Sequence, residues 1–208
     1  MSKSLNTLIA TLMLATATQA LAASSVDLSV RGLITPSACD ISVSNGGQFD
    51  LGKIAAKDLS PNEKTYLPRL NAQVTTTCEG ATLIALEAKD NRAGSAHTQD
   101  GYMFGLGLIN GTEKLGAMTA GLGTQTADGA VAYGINSSDG GLTWTNGGAF
   151  KPLNNLVSVY KSGDKVPVPV QLLVSNLWIE PEIAPTNSLT LTNEVLIDGS
   201  LTLTVRYL

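Results

Sequence analysis

Few side chains in this chain are suited to act as nucleophile, general base or metal ligand. There is one histidine, His97, and there are two cysteines, Cys39 and Cys78. A catalytic histidine needs an orienting partner and a place facing substrate; His97 lies in the polar run Ser95 to Asp100 and reads as a solvated loop residue. Metal centres need three or four converging N, S or O donors, and Asp128, Asp139 and Asp164 lack the spacing of a calcium loop. Gly105-Leu106-Gly107 with Gly111 has neither a complete dinucleotide fingerprint nor a helix to cradle phosphate. Trp144 and Trp178 are isolated and read as packing residues rather than a saccharide platform. The 13 basic residues against 17 acidic ones give a net charge of −4 with no basic run, so nucleic acid has no electrostatic footprint here. These counts predict no enzyme, no cofactor, no metal and no nucleic-acid partner.

The N-terminal residues set the compartment in which the cysteines are read. Lys3 is followed by an apolar, small-residue run from Leu5 to Ala17 and by Ala20-Leu21-Ala22. This pattern predicts a signal peptide over residues 1–22, cleaved before Ala23; its apolar run is too short for a spanning helix of about 20 residues. The mature chain would hold 186 residues with a net charge of −5. Export leads to an oxidising compartment, where an even pair of cysteines is expected to bridge. A Cys39–Cys78 bridge closes a loop of 39 residues, which chain entropy values at about 4 kcal/mol.

The elements that must position these residues follow a period of two. Charged residues are 14% and mean hydropathy is +0.14, a composition that folds rather than solvates. Val26, Leu28 and Val30 alternate with Asp27, Ser29 and Arg31, and Gly32 and Ile34 continue the apolar parity. Such alternation describes a half-buried strand. Further candidates are Ile41 to Val43, Phe49 to Leu51, Tyr66 to Thr77 and Leu83 to Ala88. The middle, Gly101 to Gly148, reads as short strands joined by glycine-rich loops, or as an insertion. Val166 to Val174 alternates again, with Pro167 and Pro169 placing its start at an edge. Beyond a proline-containing turn at Glu180 to Pro185, the odd positions from Leu189 to Tyr207 are largely apolar. The pattern predicts an all-β sandwich in a single domain over residues 36–208, preceded by an arm at residues 23–35. Val26, Leu28, Val30 and Ile34 on the arm offer about 6 to 12 kcal/mol of gross burial, on their own domain or on a neighbour.

At both ends the sequence resembles chaperone-usher fimbrial (pilin) subunits. Gly32-Leu33-Ile34-Thr35-Pro36-Ser37-Ala38-Cys39 fits the pilin pattern of glycine, any residue, aliphatic, four residues, cysteine, directly after an alternating extension. The step to Cys78 is similar to the disulfide spacing of those subunits, and Leu203-Thr204-Val205-Arg206-Tyr207-Leu208 looks like their last strand with its penultimate tyrosine. Asp90-Asn91-Arg92-Ala93-Gly94 and Leu191-Thr192-Asn193-Glu194 resemble an uncharacterised pilin-like family of secreted bacterial proteins. The resemblance implies an immunoglobulin-like sandwich lacking its last strand. Its hydrophobic groove would be filled first by a periplasmic chaperone and then, at an outer-membrane usher, by the arm of the next subunit. The donor strand would then be Val26, Leu28, Val30, Gly32 and Ile34, with Gly32 at a shallow part of the groove. Groove wall and chaperone contact would fall to Leu201, Leu203, Val205, Tyr207 and Leu208. The implied product is a head-to-tail fimbria on the cell surface that contributes to adhesion, its receptor unspecified. The alternative from the same residues is a monomeric periplasmic binding or accessory protein whose first strand completes its own sheet.

Ser137-Ser138-Asp139-Gly140-Gly141-Leu142-Thr143-Trp144 resembles the Asp-box of sialidase propellers. In physical terms Ser137, Asp139, Gly141, Thr143 and Trp144 form a hairpin device. Asp139 accepts hydrogen bonds inside the turn, Gly141 tolerates positive φ and Trp144 packs beneath. One copy builds no propeller, and the expected role is structural.

Overall fold

The computed structural model describes residues 28–32 and 38–208. The expected signal peptide, Val26 and Ile34 lie outside the described residues. The chain divides into two units, 1–34 and 35–208. In the first, Leu28 to Gly32 form no strand, and Leu28 and Val30 are exposed.

The second unit is all-β. Its strands in the N-terminal half are β1 (Cys39–Val43), β2 (Thr65–Tyr66), β3 (Leu70–Thr82), β4 (Ile84–Asp90), β5 (Phe104–Gly105), β6 (Leu108–Ile109) and β7 (Glu113–Lys114). They are followed by β8 (Gly116–Ala127), β9 (Ala130–Ser137), β10 (Thr145–Asn146), β11 (Leu156–Tyr160), β12 (Val170–Ile183) and β13 (Leu201–Tyr207). The helical pieces among the described residues are 3-10 turns of three or four residues, and no helix there is long and apolar enough to cross a membrane.

All ladders are antiparallel, in the order β1-β3-β12-β8-β9-β11-β4-β13. The sheet folds over on itself at the β8–β9 hairpin, where only residues 125–127 and 130–132 pair. Its turn is Asp128-Gly129, with φ of 52° and 79°, the left-handed pair that a tight two-residue hairpin requires. The Asp128 carboxylate also accepts from the amides of Gln171 (2.8 Å) and Leu172 (2.9 Å), where the register of β12 shifts between Val170 and Leu172. The core between the layers is centred on Leu86, Phe104, Phe150, Val157 and Leu177. A second cluster around Cys78, Ile84, Val159 and Val170 closes one end.

Several local expectations are corrected. The glycine-rich middle holds the short strands expected, β5, β6, β7 and β10, but it is not an insertion, since it also supplies β8, a twelve-residue central strand, and β9. Small residues are needed there because neighbouring strands and a ring from the adjacent strand crowd the backbone. A Cβ at Gly121 would sit 2.5 Å from the Trp178 ring and 2.7 Å from the Gly148 carbonyl oxygen. Glu180 to Pro185 is not a turn, since β12 runs through to Ile183. Pro181 is tolerated because β3 leaves β12 at Leu70, so its missing N–H faces only short β2, where its carbonyl accepts from Leu67 N at 2.9 Å. Pro167 and Pro169 precede β12 rather than open it, and β12 is a central strand. Phe49 to Leu51 and Leu189 to Ile197 alternate in burial yet join no ladder.

Candidate functional site

The seam of the sheet is the site. β1 pairs with β3 alone and β13 with β4 alone, so each carries one edge of main-chain N–H and C=O groups without a ladder partner among the described residues. Between these edges runs an apolar groove of about 1320 Å³. Its floor is Leu106, Met118, Leu177, Ile179 and Ile183, and its flanks are Ile41 and Val43 on one side and Leu201 and Leu203 on the other. Period-two geometry makes the flanks: Leu201, Leu203 and Val205 are half-buried while Thr202, Thr204 and Arg206 are exposed. The two unpaired alternating segments border the same groove, Phe49 to Ile54 from the β1 side and Leu191 to Ile197 from the β13 side. Lys53 and Glu194 reach between them at 3.6 Å, an exposed pair that contributes little.

Each end of the groove is tied. At one end the amide of Cys39 donates to the Tyr207 hydroxyl at 2.9 Å and the Leu208 amide donates to the Leu83 carbonyl. Cys39 faces Cys78 across the β1–β3 ladder and is bonded to it, so the disulfide anchors a strand with a single ladder neighbour among the described residues. At the other end Arg92 holds Asp198 with two hydrogen bonds of 2.7 Å. The guanidinium keeps the Asp198 carboxyl below the usual carboxylate range. Asn91 binds the Ser200 and Thr202 hydroxyls, both at 3.0 Å. Asp90 caps the same turn, accepting from the amides of Arg92 and Gly105. Further along, the Glu113 carboxylate accepts from the Thr190 amide at 2.6 Å, which lowers its pKa. The Asn110 side chain donates to the Thr190 carbonyl. Residues 189–200 are thus strapped over the core by side chains and by the isolated main-chain bonds Asp198 N to Leu106 O and Asn91 N to Ser200 O, instead of a ladder. Sequence reading placed the flanking role on β13 but missed the groove floor and these straps; the signal for the latter was the polar turn at Asp90 to Gly94.

The Asp-box lies outside the groove, at the turn from β9 to β10. Asp139 accepts from the hydroxyls of Ser137 and Thr143, both at 2.6 Å, and from the amides of Leu142 and Thr143. These bonds, the Ser137 hydroxyl first, hold its carboxyl far below the usual carboxylate range. The Trp144 indole donates to the Gly141 carbonyl at 3.0 Å. A Cβ on Gly141 would touch both Trp144 and Leu208, so this hairpin abuts the last residue of the chain.

His97 is not solvated, contrary to its reading from sequence. Its side chain is 11% exposed and its Nε2 lies 3.4 Å from Oε1 of buried Glu182, whose other oxygen is 2.9 Å from Lys64 Nζ. The loop crosses the outer face of β12, on the side opposite the groove-facing Ile179, Pro181 and Ile183, which only the fold reveals. Burial lowers the His97 pKa from its usual 6.5; Lys64 adds to this, and Glu182 opposes it. A histidine whose folded pKa is depressed stays neutral in the native state while the unfolded chain takes up the proton. Stability contributed in this way is present above the unfolded value and falls as pH drops from about 6.5 toward the folded pKa, by at most about 1.4 kcal/mol per pH unit. Urea unfolding from pH 7.5 to 4.5 should show a shallower decline for His97→Gln than for the natural chain.

Among the described residues no three His, Cys, Asp or Glu side chains converge as metal ligands would. Comparison with known proteins bears on kinship. The sequence model of a family described as a protein of unknown function (DUF1120) matches residues 28–132, just over half of the chain. The chain belongs to the DUF1120 family. It is also 29% identical over 223 residues to Protein GltF of Escherichia coli (strain K12), with 88% of each chain covered. It is 28% identical over 231 residues to the Uncharacterized protein YhcF of the same organism, covering 92% of this chain and 94% of that one. Likeness on that scale runs well past the DUF1120 match into the C-terminal half that carries β12 and β13.

Proposed function

We propose that the chain is an exported structural subunit of a fimbria, assembled when the N-terminal arm of one copy inserts into the groove of the next. The observation that carries this reading is the groove. It joins an apolar floor to two free strand edges, and it is bordered by alternating segments that lack a ladder partner. A cavity over core residues, flanked by alternating segments outside any ladder, supports a place for an added strand, and strand edges at its rim call for an extended strand rather than a helix or a small molecule. The arm supplies the matching period, with Val26, Leu28, Val30 and Ile34 on one parity and polar residues on the other. A periplasmic chaperone and an outer-membrane usher are the partners this route requires, with fimbrial adhesion as the outcome.

The test is a peptide spanning residues 23–35, added to the purified mature chain. At a hundredfold excess over Kd, binding stabilises the folded state by about 2.7 kcal/mol, a rise in Tm of about 5 to 10 °C for a domain of this size. The same peptide with Val30→Asp should give no shift, because the charge would enter the groove unpaired. Absence of any shift with the unaltered peptide would support the reading in which the arm completes its own sheet.

A further inference from the structure

We infer a second binding site, for a neutral saccharide, in the cleft where β8 and β9 diverge. Beyond the three residue pairs at the Asp128-Gly129 hairpin, β8 and β9 separate, and the Gly147-Gly148 strand end fills part of the gap through Leu122 N to Gly148 O and Gly147 N to Gly134 O. What remains is a cleft of about 520 Å³, within the range of small-ligand pockets. Three features of it point to a ligand and to one class of ligand.

The first is an aromatic wall. Tyr133 and Tyr160 are directly opposite in the β9–β11 ladder, their ring centroids 5.5 Å apart and tilted by 42°. Tyr133 is 55% exposed, an open ring face with a polar tip. The second is a buried amide with unused capacity. Gln125 is only 2% exposed. Its Oε1 accepts weakly from Ser175 Oγ at 3.5 Å, while its Nε2 has no hydrogen-bond partner among the described residues and opens on the cleft beside Gly134, where a Cβ would lie 2.8 Å from it. A ligand hydroxyl that reached this amide at the wall of the cleft would gain a hydrogen bond in a largely water-poor setting. Asn146 adds a second free side-chain amide at the rim. The third is charge: no residue lining the cleft is ionisable at neutral pH. Stacking faces, amide donors and acceptors, glycine backbone and no charge suit the C–H faces and hydroxyls of an uncharged sugar, and give no counter-charge for a phosphate, carboxylate or amine. The cleft lies apart from the groove, so the site stands whether or not the groove takes a strand.

The mature chain labelled with 15N would be titrated with methyl glycosides of galactose, glucose, mannose, N-acetylglucosamine and fucose, and with lactose, maltose and cellobiose. At least one is expected to bind saturably with Kd near about 1 mM or tighter, moving amide signals of residues 122–134 and 146–148. Tyr133→Ala should weaken that binding at least about tenfold and Tyr133→Phe should preserve most of it, since the stacking face survives. Asn146→Ala, at an exposed position, gives an independent loss should Tyr133→Ala disturb the fold. The proposal is overturned if no glycoside of the panel binds saturably, if the shifts fall elsewhere, or if Tyr133→Ala and Asn146→Ala both bind as the natural chain does.

Discussion

Deletion of residues 23–34 is expected to abolish polymer formation while leaving a folded, exported subunit. The arm belongs to a unit separate from residues 35–208, and its described residues, 28–32, belong to none of the strands β1 to β13. The deleted chain would keep the groove and lose the strand that enters a neighbour's groove. The expected readout, in cells that supply a cognate chaperone and usher, is loss of the ladder of detergent-resistant species on unheated gels. Co-expression sharpens the test, because a head-to-tail contact extends without closing. A subunit that accepts but cannot donate can occupy only one end of a polymer. About one armless subunit in ten should hold the mean polymer to about ten subunits. A normal ladder from the armless chain alone sinks the fimbrial reading, and a ladder unchanged by the mixture removes the head-to-tail contact from it.

Replacing Cys39 and Cys78 together by serine is expected to cost about 4 kcal/mol, the loop-closure value for their 39-residue separation. The position of the bridge makes its loss larger for the groove than for the rest of the core. Among the described residues β1 has a single ladder neighbour, β3, and the Cys39 amide is also the donor to Tyr207 that ties β1 to β13. Without the bridge, β1 frays first and takes one flank of the groove with it. Urea denaturation should show the midpoint falling, and hydrogen exchange should quicken in residues 39–43 and at their partners 74–78 before it quickens in β8 or β12. A double serine chain with unchanged stability and unchanged exchange in β1 would show that the edge strand is held by its ladder alone.

Much of the fold was legible in the residues. The strand candidates Ile41 to Val43, Tyr66 to Thr77 and Leu83 to Ala88 and the last alternating run fall on β1, β3, β4 and β13, and an isolated pair of cysteines in a chain read as exported foretold the bridge. The Asp-box was read as a hairpin because Ser137, Asp139 and Thr143 carry the capping groups at the spacing the turn needs. Other elements were not legible for identifiable reasons. β8 is built from Gly, Ala and Thr and lacks an apolar stripe, because its neighbours leave no room for larger side chains. The strand expected over Val166 to Val174 stopped short of β12's end at Ile183, and Glu180 to Pro185 was read as a turn, because nothing local shows that β3 departs just where the missing N–H of Pro181 falls. Phe49 to Leu51 and Leu189 to Ile197 alternate as strands do, yet alternation reports only which side is buried; a ladder also needs a neighbour, and the described residues supply none at the seam.

The scarcity of histidine, cysteine and arginine, the single disulfide and the two-residue period were determined by the sequence alone, since composition and periodicity are local properties. That the first and last strands of the sheet become its two free edges, with an apolar trough between them, was decided by the tertiary structure. So were the burial of His97 against Glu182 and the meeting of Gln125, Tyr133 and Tyr160 along one cleft. Each of these depends on residues far apart in the chain meeting across the sheet or across the seam, where packing and ladder order, not local preference, fix what faces what.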